Sequence, residues 1–290
     1  MHDNEFPIDL ALATSLVRSR LALGDDLEIS AVSSHGTDNA IFRVGETMVA
    51  RFPRIESASR NIQREWEWIG RLSGRLALAT PSPVVLGEPT ANFPWPWMVN
   101  SWIDGDSAPN DGPGLDDAAE ALGEFIRSIH TIEAVDRPMS PRGGTLEGRD
   151  DATRRALAKC TRWIDVPTAM ADWERALEAT SQADEEVLIH GDLAPGNLIL
   201  RAHRLVGVID FSTITVGDPA CDLMVAWNLL GQLGRRTLRR DLAVDDATWQ
   251  RGRGWSLSVA ALQLPYYATR NRSLAANSRR VFAELASDPA

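Results

Sequence analysis

VLIHGDLAPGNLILRAHRLVGVIDFSTITVGDPACDL, residues 187–223, sets His190, Asp192, Asn197, Asp210, Asp218 and Asp222 within one short hydrophobic frame. Residues 187–189 are apolar and β-branched and run into a polar turn, which predicts a strand ending at His190. Two more apolar runs, 198–200 and 205–209, flank the polar Arg201, Ala202, His203 and Arg204, the pattern of a β-hairpin. Such a hairpin would bring Asn197, at the head of its first strand, toward Asp210, at the end of its second. A carboxylate and an amide oxygen held together suit a hard cation such as Mg²⁺, which takes oxygen ligands. Asp192, on the preceding turn, is then left to face a substrate.

The spacing His190-x-Asp192-Leu193-x-x-x-Asn197, followed by Asp210-Phe211, matches the catalytic-loop pattern H-x-D-L-x-x-x-N with its later D-F pair. On these two motifs, in this order and at this separation, the chain resembles the aminoglycoside phosphotransferase family, relatives of choline and homoserine kinases on a protein-kinase-like fold. The resemblance implies an α+β, bilobal fold. A small antiparallel-sheet lobe, 1–103, would bind nucleotide and end in the inter-lobe hinge. A larger, mainly helical lobe, 104–290, would carry the catalytic loop and the acceptor site. In the kinase template the first Asp, here Asp192, orients the attacking hydroxyl and accepts its proton, while Asn197 and Asp210 hold the metal ions that bridge the nucleotide phosphates. The implied reaction moves the γ-phosphoryl group of ATP or GTP, with Mg²⁺, to a hydroxyl of an aminoglycoside or similar antibiotic.

Composition narrows the classes. With 290 residues and 44% hydrophobic content the chain is long enough for two lobes. A net charge of −10 argues against nucleic acid or an anionic membrane as partner and is compatible with a cationic small substrate. Cys160 and Cys221 are far apart and form no C-x-x-C pair, as expected of a reduced, cytoplasmic protein without a thiolate zinc site. The N-terminal stretch carries acids where a secretory signal would carry bases, and no apolar run approaches the roughly 18 residues of a spanning helix.

Along the chain, residues 9–23 read as an amphipathic helix and 27–32, 40–44 and 47–52 as strands. The polar loop 33–39 between the first two, with Ser34, His35, Gly36 and Thr37, could lay backbone N–H groups over phosphates, although it has no G-x-G-x-x-G. The third strand stands where V-A-I-K would be expected, so Arg51 takes the place of the usual lysine. The chain's one lysine, Lys159, lies in a helical pattern far downstream. Arginine keeps the charge and adds a bidentate fork; Arg54 is the other candidate. Helix 58–72 presents Ile62, Trp66, Ile69 and Leu72, with Glu65 beside that face as the acid to pair with the cation and Glu67 as its alternative. Residues 80–85, with Pro81 and Pro83, read as an extended connection, and 96–103 as the last strand of the lobe. The resemblance places the hinge at its end, with Ser101 and Ile103 matching the backbone positions that bind the purine. Helices are predicted at 115–132, 151–163, 168–179, 220–233, 245–262 and 274–285, with 138–148 as loop. His190, Asp218 and Asp222 are read as supporting residues: the two acids tie the catalytic loop to the following helix, and Asp218 caps that helix.

Six residues separate Asp210 from Gly217, too few for a regulatory activation loop, and Asp210-Phe211-Ser212 lacks the third glycine. Both point to a small-molecule kinase. Two other classes stand beside it: a metal-dependent hydrolase using His190, Asp192, His203 and Asp210, and a degenerate kinase that only binds nucleotide. The acceptor is open among aminoglycosides, macrolide or peptide antibiotics and metabolites such as homoserine, choline or a sugar. Asp165, Asp172, Glu174, Asp222, Asp245 and Asp246 are the carboxylates available to a polycation.

Overall fold

The computed structural model describes residues 5–21, 27–32, 38–110, 114–134, 136–179 and 186–288. The chain divides into two compact units, 1–105 with 207–212, and 106–206 with 213–290. The chain thus leaves the second unit at Gly207 and returns to it at Thr213, so the segment bearing Asp210 belongs with the first unit.

In the first unit, helix α1 (Leu10–Arg20) opens on Asp9, whose carboxylate accepts from Leu12 N at 2.8 Å, an N-cap that satisfies a free helix donor. Strands β1 (Ile29–Ala31), β2 (Asn39–Val44) and β3 (Met48–Pro53) follow, then α2 (Glu56–Leu72), β4 (Pro83–Gly87) and β5 (Trp97–Ser101). The strands form an antiparallel sheet in the order β1-β2-β3-β5-β4. Strand β2 alternates strictly, burying Ala40, Phe42 and Val44 against a core that includes Ala13, Leu16 and Val17 of α1. Phe52 stacks on Trp97 with ring centroids 5.0 Å apart and meets Phe42 and Phe93 edge-on. On β3, Ala50 and Phe52 belong to this core, and Arg51, between them, points to the other face. Two readings need correction. The stretch 80–85, expected as an extended connection, runs into a strand, β4, that pairs with β5, and on α2 Trp68 rather than Trp66 is the buried tryptophan.

The second unit begins with the short β6 (Asp106–Ser107) and contains α3 (Ala119–His130), α4 (Asp150–Leu157), α5 (Val166–Glu178), β7 (Val187–Ile189), β8 (Leu198–Arg201), most of β9 (Arg204–Val208), β10 (Thr215–Gly217), α6 (Val225–Asn228), α7 (Gln232–Leu242), α8 (Asp246–Tyr267) and α9 (Arg272–Ser287). Ala202 and His203, both at positive φ (49° and 63°), close the β8–β9 hairpin in the two-residue form that matches strand twist. Strand β10 pairs antiparallel with β7, Thr215 opposite Ile189. Trp173, Trp227, Trp255 and Phe125 fill the core at 0% exposure.

The continuous helix expected over 220–233 is not one. Residues Pro219–Met224 form 3₁₀ turns, α6 is a single turn, and a separate helix, α7, starts at Gln232. Gly231 interrupts the path, its N–H donating to Asp116 Oδ1 at 2.6 Å. Asp245 caps α8 through Thr248 N, the position at which an acid just ahead of a helix satisfies a free donor. Among the described residues no helix is long and apolar enough to cross a membrane.

Candidate functional site

Each unit holds its own cluster of the predicted residues. In the first unit Glu65 lies on the buried stripe of α2 with Ile62, Ile69 and Leu72, and is 1% exposed. It pairs with Arg51 of β3, and its Oε1 also accepts from Phe211 N at 3.0 Å. The other arm of the Arg51 fork reaches Asp210 Oδ1 at 3.2 Å. A guanidinium serves two carboxylates at once where an ammonium would serve them as a point charge. Burial works to lower the Arg51 pKa, but Glu65 and Asp210 raise it above its ordinary value, so the group stays cationic. Glu67 is exposed, and Arg54 pairs with Glu5 at 3.2 Å, so the ion pair that forms between β3 and α2 is Arg51 with Glu65.

Asp210 sits in the left-handed region at φ 65°, a conformation that costs a non-glycine residue of order 1 kcal/mol or more and persists only where neighbours fix it. The neighbours are specific. Arg51 and Ser212 N (3.3 Å) hold its carboxylate, Glu65 holds the next N–H, and Arg64 donates to Ser212 O at 2.6 Å. At the end of β5, Ser101 N–H donates to Ser82 O and the Ser101 hydroxyl accepts from Ser82 N, both at 2.8 Å. Trp102 N–H turns the other way, to Thr47 O at 2.8 Å. Ser34, His35, Gly36 and Thr37 lie outside the described residues.

In the second unit the loop after β7 is hung on one buried acid. Asp222, 0% exposed, accepts from His190 N at 3.0 Å, Gly191 N at 2.8 Å and His130 Nε2 at 3.1 Å. Burial alone would raise its pKa. The hydrogen bond and charge of His130, with His190 and the Gly191 N–H, more than offset that and hold it below the usual carboxylate range. His190 is itself buried; its Nδ1 accepts from Asp192 N at 3.3 Å and its carbonyl from Thr213 Oγ1 at 2.8 Å. Gly191 between them has φ 80°, and a Cβ there would lie 3.0 Å from both Thr213 O and Arg142 Cβ. Gly191→Ala should therefore lose about 1–2 kcal/mol from the left-handed backbone alone, more with the clash, read as a lower urea midpoint at unchanged slope.

Asp192 is partly exposed, and both of its carboxylate oxygens are engaged. Asn197 Nδ2 reaches Oδ2 at 3.1 Å and the Asp192 carbonyl at 2.9 Å, while Arg142 reaches Oδ1 at 3.2 Å. Because the Asn197 amide N–H₂ is spent on Asp192, its carbonyl oxygen, the hard donor, faces elsewhere. Asp218 caps the 3₁₀ turn after it through Ala220 N and takes two bonds from Arg251, at 2.8 and 3.2 Å. Of the two acids it is Asp222 that bonds the loop after β7, while Asp218 bonds the turn that follows it and Arg251 of α8. Cys160 and Cys221 are buried free thiols, Cys160 pushed by burial up to about 11. His203 sits in the hairpin turn, and among the described residues no group of three His, Cys, Asp or Glu is placed to hold a metal.

A model of the phosphotransferase enzyme family matches residues 29–255, from β1 into α8. The chain belongs to this family. As a family member it is 26% identical over 156 residues to an aminoglycoside 3'-phosphotransferase of Escherichia coli, a match over 50% of this chain that spans only about half, 56%, of the relative. To the viomycin phosphotransferase of Streptomyces vinaceus it is 26% identical over 280 residues, 87% of this chain and 91% of the relative. Its fold is that of the GDP and kanamycin complex of APH(2″)-IIIa, with a TM-score of 0.73 at 17% identity over 95% of this chain and 98% of that one.

The α+β, kinase-like fold expected from residues 187–223 is thereby established. Three residues of the second unit were not singled out in the sequence. His130 is the side-chain partner of Asp222 across 92 residues. Arg142 and Arg149 lie in the stretch 138–148 and just past it, read as loop and helix entry. The available signal was Ser140-Pro141-Arg142-Gly143-Gly144, a capping serine, a proline and two glycines that specify a tight turn.

Proposed function

We propose that this phosphotransferase moves the γ-phosphoryl group of a nucleoside triphosphate to a hydroxyl of a small-molecule acceptor of the antibiotic class. The observation that carries this reading is the Asp192 carboxylate, set on the Gly191 turn, anchored through Asp222 and oriented by Asn197. Asp192 would position the acceptor hydroxyl for in-line attack and take its proton as the bond to phosphorus forms. Arg51, fixed by Glu65, would neutralise non-transferred phosphate oxygens, and Ser101 and Ile103 would offer backbone groups to the base.

The donors fit magnesium: Asp210 is a carboxylate locked in place by its neighbours, and Asn197 presents its oxygen because its nitrogen is engaged. Held by these two residues, Mg²⁺ would supply charge neutralisation at the nucleotide phosphates. Whether Ser34, His35, Gly36 and Thr37 cover the phosphates, and whether ATP or GTP is the donor, are parts of the same proposal. The names of the relatives put aminoglycosides and viomycin-like peptides first among candidate acceptors.

The test is a mass-spectrometric screen of antibiotics and hydroxyl metabolites with ATP and with GTP, with and without magnesium chelation. The expected result is one acceptor heavier by a single phosphoryl group, formed only with the metal present. Failure of every acceptor with both nucleotides, or transfer that survives chelation, would overturn the reading.

A further inference from the structure

Polar side chains buried in a folded protein are paired, and one that is not calls for a partner the chain does not supply. Asn100 of β5 is 1% exposed, and its Oδ1 has no hydrogen-bond partner among the described residues. The polar groups around it are satisfied without it. The Ser101 hydroxyl accepts from Ser82 N at 2.8 Å, and the Ser82 and Ser73 hydroxyls meet at 2.6 Å. An apolar side chain would fill a purely structural position at lower cost, since an orphaned acceptor loses its water and gains nothing in return.

The sheet fixes the side on which the amide lies. Trp97 and Val99 belong to the core shared with α1, so Met98 and Asn100 alternate to the opposite face. That is the face of Arg51, which is in register with Met98, while Asn100 is in register with Val49. Two residues of strand set Asn100 about 7 Å beyond the level of Arg51, on the way to Ser101. A nucleotide with its phosphates at Arg51 and its base at Ser101 would carry that base past Asn100. Ile41, in register with Arg51 on β2, and Val49 are half-buried on the same face and offer apolar surface to a flat ring.

The orphaned atom selects among bases. Oδ1 is an acceptor and needs a donor. Adenine carries an amine at position 6, where guanine carries a carbonyl oxygen. A carbonyl there would set two acceptors against each other with no proton between them.

We propose that Asn100 is a specificity-determining residue of the donor site, its Oδ1 accepting from the 6-amino group of an adenine nucleotide, so that this phosphotransferase uses ATP in preference to GTP. The inference rests on the nucleotide-donor reading and on the place given there to the base; it asks nothing of the acceptor.

The test is calorimetric binding of three diphosphates to the full chain with Mg²⁺: ADP, its 6-oxo counterpart IDP, and purine riboside diphosphate, which has hydrogen at that position. The wild type should bind ADP about tenfold or more tightly than either of the others. Asn100→Leu, of similar volume, should weaken ADP to within about twofold of the 6-hydrogen compound. Without nucleotide its urea midpoint should stand at or above that of the wild type, because the orphaned oxygen is gone. Asn100→Met repeats both readings with a more adaptable side chain. Wild-type binding that ignores the 6-substituent, or that prefers IDP, overturns the assignment, as does a discrimination that survives in both variants. Midpoints lowered in both variants overturn it too, since the amide then serves the fold. If none of the three diphosphates binds, the donor reading falls and takes this inference with it. If all three bind alike, the donor reading stands and only this inference falls.

Discussion

Asp192→Ala lowers kcat for phosphoryl transfer by about 10²–10⁴-fold, the range lost with a positioned general base, and leaves the fold intact. The fold survives because Asp192 is partly exposed and the loop hangs on Asp222 through the backbone of His190 and Gly191. The rate falls because, among the described residues, no other carboxylate of the second unit is bonded by Asn197. Most of the loss should appear in kcat rather than in the KM for nucleotide, since in the proposed reaction Asp192 would act on the acceptor hydroxyl as charge develops. A coupled assay of nucleoside diphosphate release, beside a thermal melt, reads both halves. Turnover near the wild-type value would remove Asp192 from the chemistry.

Asp222→Ala is the corresponding result for stability, with an expected loss of about 2–6 kcal/mol, the cost of leaving two buried backbone donors unsatisfied. The truncation strands two backbone donors and the His130 ring at a site with 0% exposure. Each orphaned buried donor costs about 1–3 kcal/mol by itself. The pH dependence has a definite sign. His130, His190 and the Gly191 N–H hold the folded carboxyl below the ordinary range against its burial. The unfolded chain therefore takes up this proton first as pH falls. The contribution of Asp222 is whole above about pH 4 and is lost as pH drops through the folded value. Urea denaturation of wild type and variant from neutral pH down to about pH 3 should show the wild type losing its advantage only in the acid window. Equal midpoints at neutral pH would sink the assignment.

How far the sequence could be read depended on how local each feature was. The segment 187–223 packs strand, turn and hairpin into contiguous residues, so its pattern was legible, and the two-residue hairpin turn and the Asp245 cap followed the same logic. Glu65 was legible because the stripe Ile62, Ile69, Leu72 carries an acid at the matching helical phase. The tryptophans of α2 were misjudged, since Trp66 and Trp68 both border that stripe and tertiary packing chose between them. The break at Gly231 escaped notice because it is made by Asp116, 115 residues earlier. Arg142 on Asp192 and His130 on Asp222 were illegible for the same reason: charge pairs across 50 and 92 residues leave no periodic trace.

The excursion of residues 207–212 has a consequence for anyone who wants to cut this protein into parts. A clone that stops at Gly105 would encode the sheet and both of its helices yet omit Asp210 and Phe211, and so strip Arg51 of one carboxylate and Glu65 of its amide. The gene has no single point at which scissors would yield a self-sufficient half, so swapping modules between relatives requires two grafts, one of them six residues long.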